Sequence, residues 1–184
     1  MAVADVDEHL AQITHPLLTA WRTLSEQIAV LDRTLRTTAR DQPACRLMMS
    51  VPGVGALVAL TYMTTIEDPT RFASSRRVAA HLGLVPRRWQ SGEMDRHGRI
   101  FRCGDGMTRT MLFEAANVIF TRVLAPSRLK AWGEALIPRI GKKKKKARVA
   151  VARKLAVLLH LIWVTGRAFQ ASGVEHEIGP LAAA

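Results

Sequence analysis

Between residues 10 and 35 the chain keeps a strict helical beat. Leu10, Leu17, Leu24 and Leu31 stand seven apart, and Thr14, Trp21, Ile28 and Leu35 occupy the alternate seam positions. Apolar side chains in this a/d spacing predict a long helix that lays one stripe on a partner, as a coiled coil or against a core. Proline is tolerated at the first helical position, so the spacing predicts a start near Pro16, with Thr14 or His15 as the cap.

Beyond Asp41-Gln42-Pro43 the beat shortens. A short helix is expected over 44–50, a turn at Pro52-Gly53, and a second helix over 55–66 with Leu57, Val58, Ala59 and Leu60 on its apolar side. Asp68-Pro69 is a turn signal, Ser74 a helix cap, and Gly83 the end of a helix over 75–82. From 84 to 106 no helical period survives. Glycines punctuate this stretch, and short strands at 87–90 and 99–102 predict a hairpin or ordered loop. Helical pattern returns over 107–123, 127–140 and 147–168, the last through Val151, Leu155, Leu158, Ile162 and Trp163. The tail from Ala171 is expected to fray. The fold class is therefore mostly α, a helical domain with a helix-hairpin-helix, a long coiled-coil-like N-terminal helix and a short β-hairpin. The expected divisions are a helical arm over 1–43, a domain over 44–169 and a flexible tail over 170–184.

Charge changes this picture most. The formal net charge of the 184 residues is +12. Residues 1–46 hold five arginines against six acids, whereas residues 127–154 hold eleven lysines and arginines against Glu134 alone. Clustered basicity of this kind points to nucleic acid as partner. Cys45 and Cys103 lie far apart without a metal-binding spacing, which suits a reducing, cytoplasmic setting. The most apolar run, Leu155 to Val164, is about half a membrane span and contains His160, so no membrane partner is expected.

Three segments carry candidate chemistry. In Val51-Pro52-Gly53-Val54-Gly55, Pro52 ends one helix, Gly53 permits a left-handed backbone, and Gly55 opens the next helix, whose free N–H groups can face a phosphate. In the stretch from Pro86 to Gly106, Ser91 stands among Arg87, Arg88, Arg96, Arg99 and Arg102, with Arg109 just beyond. Guanidinium groups clamp phosphate oxygens and stabilise charge developing on them, so Ser91 is either a surface residue or a nucleophile aimed at phosphorus. His81 and His97 are the nearby histidines. His81 sits in an apolar helical stretch that predicts packing. Glu67, Asp68, Glu93, Asp95 and Asp105 are expected to cap helices and pair with arginines rather than bind a metal. In the third segment, Lys142, Lys143, Lys144, Lys145 and Lys146 with Arg148 place like charges at a helix start, against the helix dipole. Phosphate relieves that repulsion, which predicts non-specific, salt-sensitive binding. Trp132 and Trp163 flank the run, where either could stack on a base, but each lies on an apolar helical pattern that favours a core position.

Taken together, the residues from Val51 to Ala116, including VPGVG and RRWQSGEMDRHGRIFRCGDG, resemble the C-terminal transposase domain of the insertion-sequence transposases that use a bridge RNA and a serine nucleophile. The run from Gly141 to Trp163 looks like that family's ending, and residues 16–40 look like the second arm of its coiled coil. The resemblance implies that Ser91, between Gln90 and Gly92, is the nucleophile that forms a covalent link to DNA. It implies that Gly53 and Gly55 are the hairpin glycines, and that Arg99, Gly104 and Arg109 are the basic segment after the serine. It also implies DNA, a structured guide RNA and further copies of the chain as partners, the copies meeting through the N-terminal helix. No cofactor is implied within this chain. Magnesium is implied only for a RuvC-like domain with four carboxylates, which has no counterpart in this sequence. The alternative is a helix-hairpin-helix nucleic-acid binding protein or transposase remnant without chemistry.

Overall fold

The computed structural model describes residues 2–91, 93–140 and 144–171. Its elements in order are α1 (Ala2–Asp41), α2 (Pro43–Met48), α3 (Ala56–Ile66), a 3-10 turn (Pro69–Arg71), α4 (Ser75–His81), β1 (Pro86–Ser91), β2 (Met94–Ile100), α5 (Gly106–Thr121), α6 (Arg128–Ile140) and α7 (Lys144–Thr165). The fold is mostly helical, with α2, the turn at residues 49–55 and α3 forming the helix-hairpin-helix and the two strands forming one antiparallel hairpin. The chain divides into two compact units, Met1–Thr38 and Ala39–Ala184. The tail over 172–184 lies outside the described residues.

In the first unit α1 does not start at Pro16 but runs through it. Pro16 lacks an N–H and so leaves one carbonyl of the preceding turn without its helical partner. Residues 11–20 are all exposed, so water can serve that carbonyl. The Thr14 hydroxyl donates to the Leu10 carbonyl at 2.8 Å in the same region. The apolar seam is real and open within this unit, with Leu17 at 67% and Trp21 at 66% exposure, and Leu10, Leu24, Ile28 and Leu31 similarly uncovered.

The second unit is built around α7, against which α2, α4, α5, α6 and the 3-10 turn all pack. Val151, Ala152, Leu155, Ala156, Leu159 and Ile162 are buried along it. Small residues permit the close approach. A Cβ on Gly133 of α6 would lie 2.6 Å from Phe120 Cζ of α5 and 2.7 Å from Val151 Cγ2 of α7. Polar groups in this core are paired. The Tyr62 hydroxyl donates to the Ala156 carbonyl at 2.6 Å, and burial pushes that phenol well up. His160 bridges the Pro69 carbonyl at Nε2 and the Ser75 hydroxyl at Nδ1, each 2.9 Å away. A carbonyl only accepts, so Nε2 carries the proton and, on the neutral ring, Nδ1 accepts from Ser75. The lone histidine of the most apolar stretch thus ties α7 to the 3-10 turn and to the start of α4.

The hairpin differs from the expected one. β2 begins at Met94, five residues earlier than the spacing suggests, and Met94 pairs with Ser91 at the end of the ladder. Asp95 is the reason that can be named: Arg88 Nε and a terminal nitrogen donate to its two oxygens at 2.8 and 2.7 Å. This diagonal cross-strand pair ties the two strands together beside the Gln90–Asp95 register pair.

Candidate nucleic-acid interface

The proline-glycine turn separates two jobs that the sequence assigns to both glycines. Gly53 has φ +84°, and a Cβ there would lie 2.7 Å from the Ala115 carbonyl oxygen and 3.0 Å from Ile119 Cγ1. Its missing side chain is used by α5, so the turn seats tightly on that helix. Gly55 is the N-cap of α3 in extended conformation, exposed, and a Cβ on it would meet nothing within 4 Å. Of the two it is Gly55 that leaves the helix start open to an approaching group.

The base of the hairpin is held by backbone contact. Gly83 has φ +66° and Gly104 φ +77°. A Cβ on Gly83 would run into the Cys103 carbonyl, and one on Gly104 into the His81 carbonyl. The Arg102 N–H donates to the Gly83 carbonyl at 3.1 Å, and Arg102 itself takes a positive φ of 58°. One terminal nitrogen of Arg109, from the first turn of α5, lies 3.2 Å from the Leu82 carbonyl, 2.6 Å from that of Cys103 and 3.0 Å from that of Gly104. Arg109 therefore fastens the end of α4 and the hairpin exit to α5. Asp105 caps α5, accepting from the Thr108 N–H at 2.5 Å, and that hydrogen bond holds its carboxyl below the usual range.

Strand alternation sorts the remaining candidates by face. Arg87, Trp89 and Ser91 alternate with Arg88 and Gln90 along β1. The register pairs Ser91 with Met94, Trp89 with Arg96, and Gln90 with Asp95, so Met94 and Arg96 share the face of Trp89 and Ser91. Arg88 is on the other face, engaged by Asp95, whose hydrogen bond raises the guanidinium further. Arg87 lies 5.1 Å above the Phe101 ring. Ser91 is exposed at the end of β1, and no described side chain is hydrogen-bonded to its hydroxyl. Arg99 and Arg102 are exposed at the far end of the hairpin. The structure thus brings Ser91, Arg87 and Arg96 together on one face and turns Arg88 and Arg109 to internal partners. The side chain of His97 lies outside the described residues, while the exposed His81 ring meets the Phe72 ring edge-on.

Trp89 is the residue that sequence reasoning passes over in favour of Trp132 and Trp163. Trp132 is half-buried with the Lys154 ammonium 4.4 Å from its ring centroid, and Trp163 is half-buried on α7. Trp89 is 57% exposed. Its sequence signal is its place two residues from Arg87 on one side and from Ser91 on the other.

Lys144, Lys145 and Lys146 form the exposed first turn of α7, with Arg148 half-buried behind them. Lys142 and Lys143 lie outside the described residues. The acids take structural roles. Asp68 accepts from the Thr70 hydroxyl and N–H, Glu67 meets Arg71 at 3.4 Å, and Asp95 and Asp105 are placed as above. Among the described residues no group of three or more His, Cys, Asp or Glu side chains is placed to hold a metal ion. No described helix is long and apolar enough to cross a membrane.

Residues 45–131 match the transposase IS116/IS110/IS902 family. The transposase for insertion sequence element IS1111A of Coxiella burnetii is 32% identical over 151 residues, 82% of this chain and 41% of that protein. A putative transposase of Sinorhizobium fredii, y4pF/y4sB, is 32% identical over 156 residues, 83% of this chain and 40% of its own length. A probable family 20 transposase of Pseudomonas aeruginosa is 30% identical over 110 residues, 60% of this chain and 32% of its own. The chain spans well under half the length of these relatives.

Proposed function

We propose, on the premise that this chain matches the IS116/IS110/IS902 transposase family, that it is the DNA-binding, serine-bearing part of an insertion-sequence transposase. The observation that carries the reading is the placement of Ser91. It is exposed at the end of a strand, on the hairpin face that also presents Arg87 and Arg96, while Arg88 and Arg109 are engaged elsewhere.

In this reading the Ser91 oxygen attacks a DNA phosphorus. A serine–phosphate ester forms, the bond from phosphorus to one deoxyribose oxygen breaks, the serine proton passes to solvent and the freed oxygen takes one up. The number of phosphate esters is unchanged, so a second strand end can reverse the step and release the serine. Arg87 and Arg96 stabilise charge on the non-bridging oxygens, the electrostatic contribution that phosphoryl transfer depends on. The α3 start at Gly55 and the lysines of α7 hold the backbone without reading bases. A structured RNA and other copies of the chain are partners, the copies meeting through the open seam of α1.

A second reading, nucleic-acid binding without chemistry, is favoured by one observation: no described side chain is hydrogen-bonded to the Ser91 hydroxyl. Denaturing electrophoresis with end-labelled DNA separates the two. The catalytic reading expects a covalent adduct with the unaltered chain and none with Ser91→Ala. An adduct that persists in the variant would overturn it, and salt-sensitive binding by both without any adduct supports the second reading.

A further inference from the structure

We infer that Trp89, flanked by Arg96 and Arg87, is a stacking platform for an unpaired base of the DNA strand whose phosphate is presented to Ser91. The inference rests on the DNA-binding reading above and adds to it the state of the DNA that this face receives.

The indole is the starting point. Trp89 is 57% exposed although it is the largest side chain of the hairpin. It is nevertheless held in place. A Cβ on Gly98 of the opposite strand would run into Cζ3 of the ring and lie 2.7 Å from Cη2, so the ring rests against the bare backbone of Gly98. The same hypothetical atom would touch Arg87 Cβ at 3.6 Å, which puts Arg87 beside the ring. Gly98 thus acts as a seat: one side of the indole is supported by the sheet and the remainder is open to solvent. A supported aromatic surface of this kind is what stacking on a nucleobase requires.

Charge on this face selects the partner. Trp89 pairs directly with Arg96 across the ladder, and Arg87 and Ser91 sit two residues to either side of it. The one carboxylate within the strands, Asp95, pairs in register with Gln90 on the opposite face, where Arg88 holds it. The Trp89 face therefore combines an open aromatic ring with two guanidiniums and no strand carboxylate. That combination suits a base with its phosphates, the ring taking the base and the guanidiniums the phosphates, and disfavours an uncharged apolar surface.

The geometry further selects an unpaired base. A two-stranded ribbon fits the major groove of a duplex, but there it meets base edges, because the faces are stacked on one another. Trp89 offers a face. A base can meet it only after leaving the stack, and two residues along a strand, roughly 7 Å, separate that ring from Ser91. Exchange of strands at a phosphate beside Ser91 is a situation in which the adjoining nucleotide is unpaired.

The test uses the full chain with three fluorescent oligonucleotides of one sequence: single-stranded DNA carrying 2-aminopurine, its duplex, and the single-stranded RNA. The unaltered chain is expected to quench the 2-aminopurine. Trp89→Ala is expected to lower affinity for single-stranded DNA about ten-fold and to abolish the quench, with less than about a two-fold effect on the duplex. Trp89→Phe retains a ring and is expected to stay within about three-fold of the unaltered chain. Gly98→Ala, which removes the seat while leaving the indole itself, is expected to resemble Trp89→Ala. Circular dichroism on each variant checks that the helical unit is intact. Unchanged single-strand affinity in Trp89→Ala overturns this inference alone, as does equal loss on duplex and single strand, or tighter binding of RNA than of DNA by the unaltered chain. Absence of binding to any of the three overturns the DNA-binding reading, and this inference with it.

Discussion

Gly53 and the carbonyl of Ala115 are in such close approach that a methyl group on the glycine would stand 2.7 Å from that oxygen. A glycine that reads in sequence as half of a phosphate cradle is therefore the contact by which the helix-hairpin-helix leans on α5. The backbone there is also left-handed, with φ +84°. Gly53→Ala meets both obstacles and is expected to cost about 2–4 kcal/mol, from the conformational and overpacking terms together. Gly55→Asp should behave oppositely. Its extended N-cap conformation accepts aspartate, which caps α3 and favours the helix dipole. Urea denaturation should find it at least as stable as the unaltered chain, while DNA affinity falls because a carboxylate now occupies the open helix start. Loss of stability without loss of binding would contradict the assignment.

Arg109 makes a second separable prediction. Replacing it by Leu leaves the carbonyls of Leu82, Cys103 and Gly104 without their shared donor. Hydrogen bonds from a charged donor contribute more than neutral ones, and the expected cost is about 2–3 kcal/mol. Arg109→Lys keeps the charge but not the planar reach, so most of that loss should remain. A variant that is fully stable yet loses DNA binding would instead make Arg109 a phosphate ligand.

Asp105 gives the pH prediction. Its folded carboxyl titrates below the ordinary carboxylate value because it accepts from the Thr108 N–H. A depressed folded value means the cap contributes fully above the unfolded value, about 3.9, and is lost as the pH falls through the lower folded one. Asp105→Ala should cost about 1 kcal/mol at neutral pH. As the pH falls below about 4 its denaturation midpoint should converge on that of the unaltered chain. A gap that stays constant with pH would rule out the charged cap as the cause.

Asp95 is the counter-ion that holds Arg88 on the hairpin. Asp95→Asn removes a negative charge from the hairpin and loosens that grip. Non-specific DNA affinity at low salt should rise, and the slope of log affinity against log salt should steepen by about one unit. Fluorescence anisotropy over a salt series reads both. An unchanged slope would show that the hairpin does not meet the backbone.

The acids illustrate how far residue chemistry reaches without tertiary structure. Residue type and spacing predict that Glu67, Asp68, Glu93, Asp95 and Asp105 cap helices and pair with arginines; Asp68 and Asp105 cap, and Asp95 and Glu67 pair with arginines. Their partners are within seven residues, so local sequence contains both halves of each interaction. Gly53 reads in sequence as facing a ligand because its partner, Ala115, is remote in the chain, and Arg109 does so although it joins one remote carbonyl, Leu82, to two near ones, Cys103 and Gly104. Nothing in the spacing distinguishes a guanidinium that meets phosphate from one that meets three carbonyls.

Periodicity and punctuation determined the helical class, the proline-glycine turn, the seam of α1 and the clustering of charge, because these depend on residues a few positions apart. Tertiary packing decided which glycine lies open, which arginines remain on the Ser91 face, and that the ring beside Ser91 is Trp89 resting on Gly98. Those outcomes follow from strand register and from helices distant in sequence meeting in the core. A shift of one residue in the hairpin would place Trp89 and Ser91 with a different set of partners.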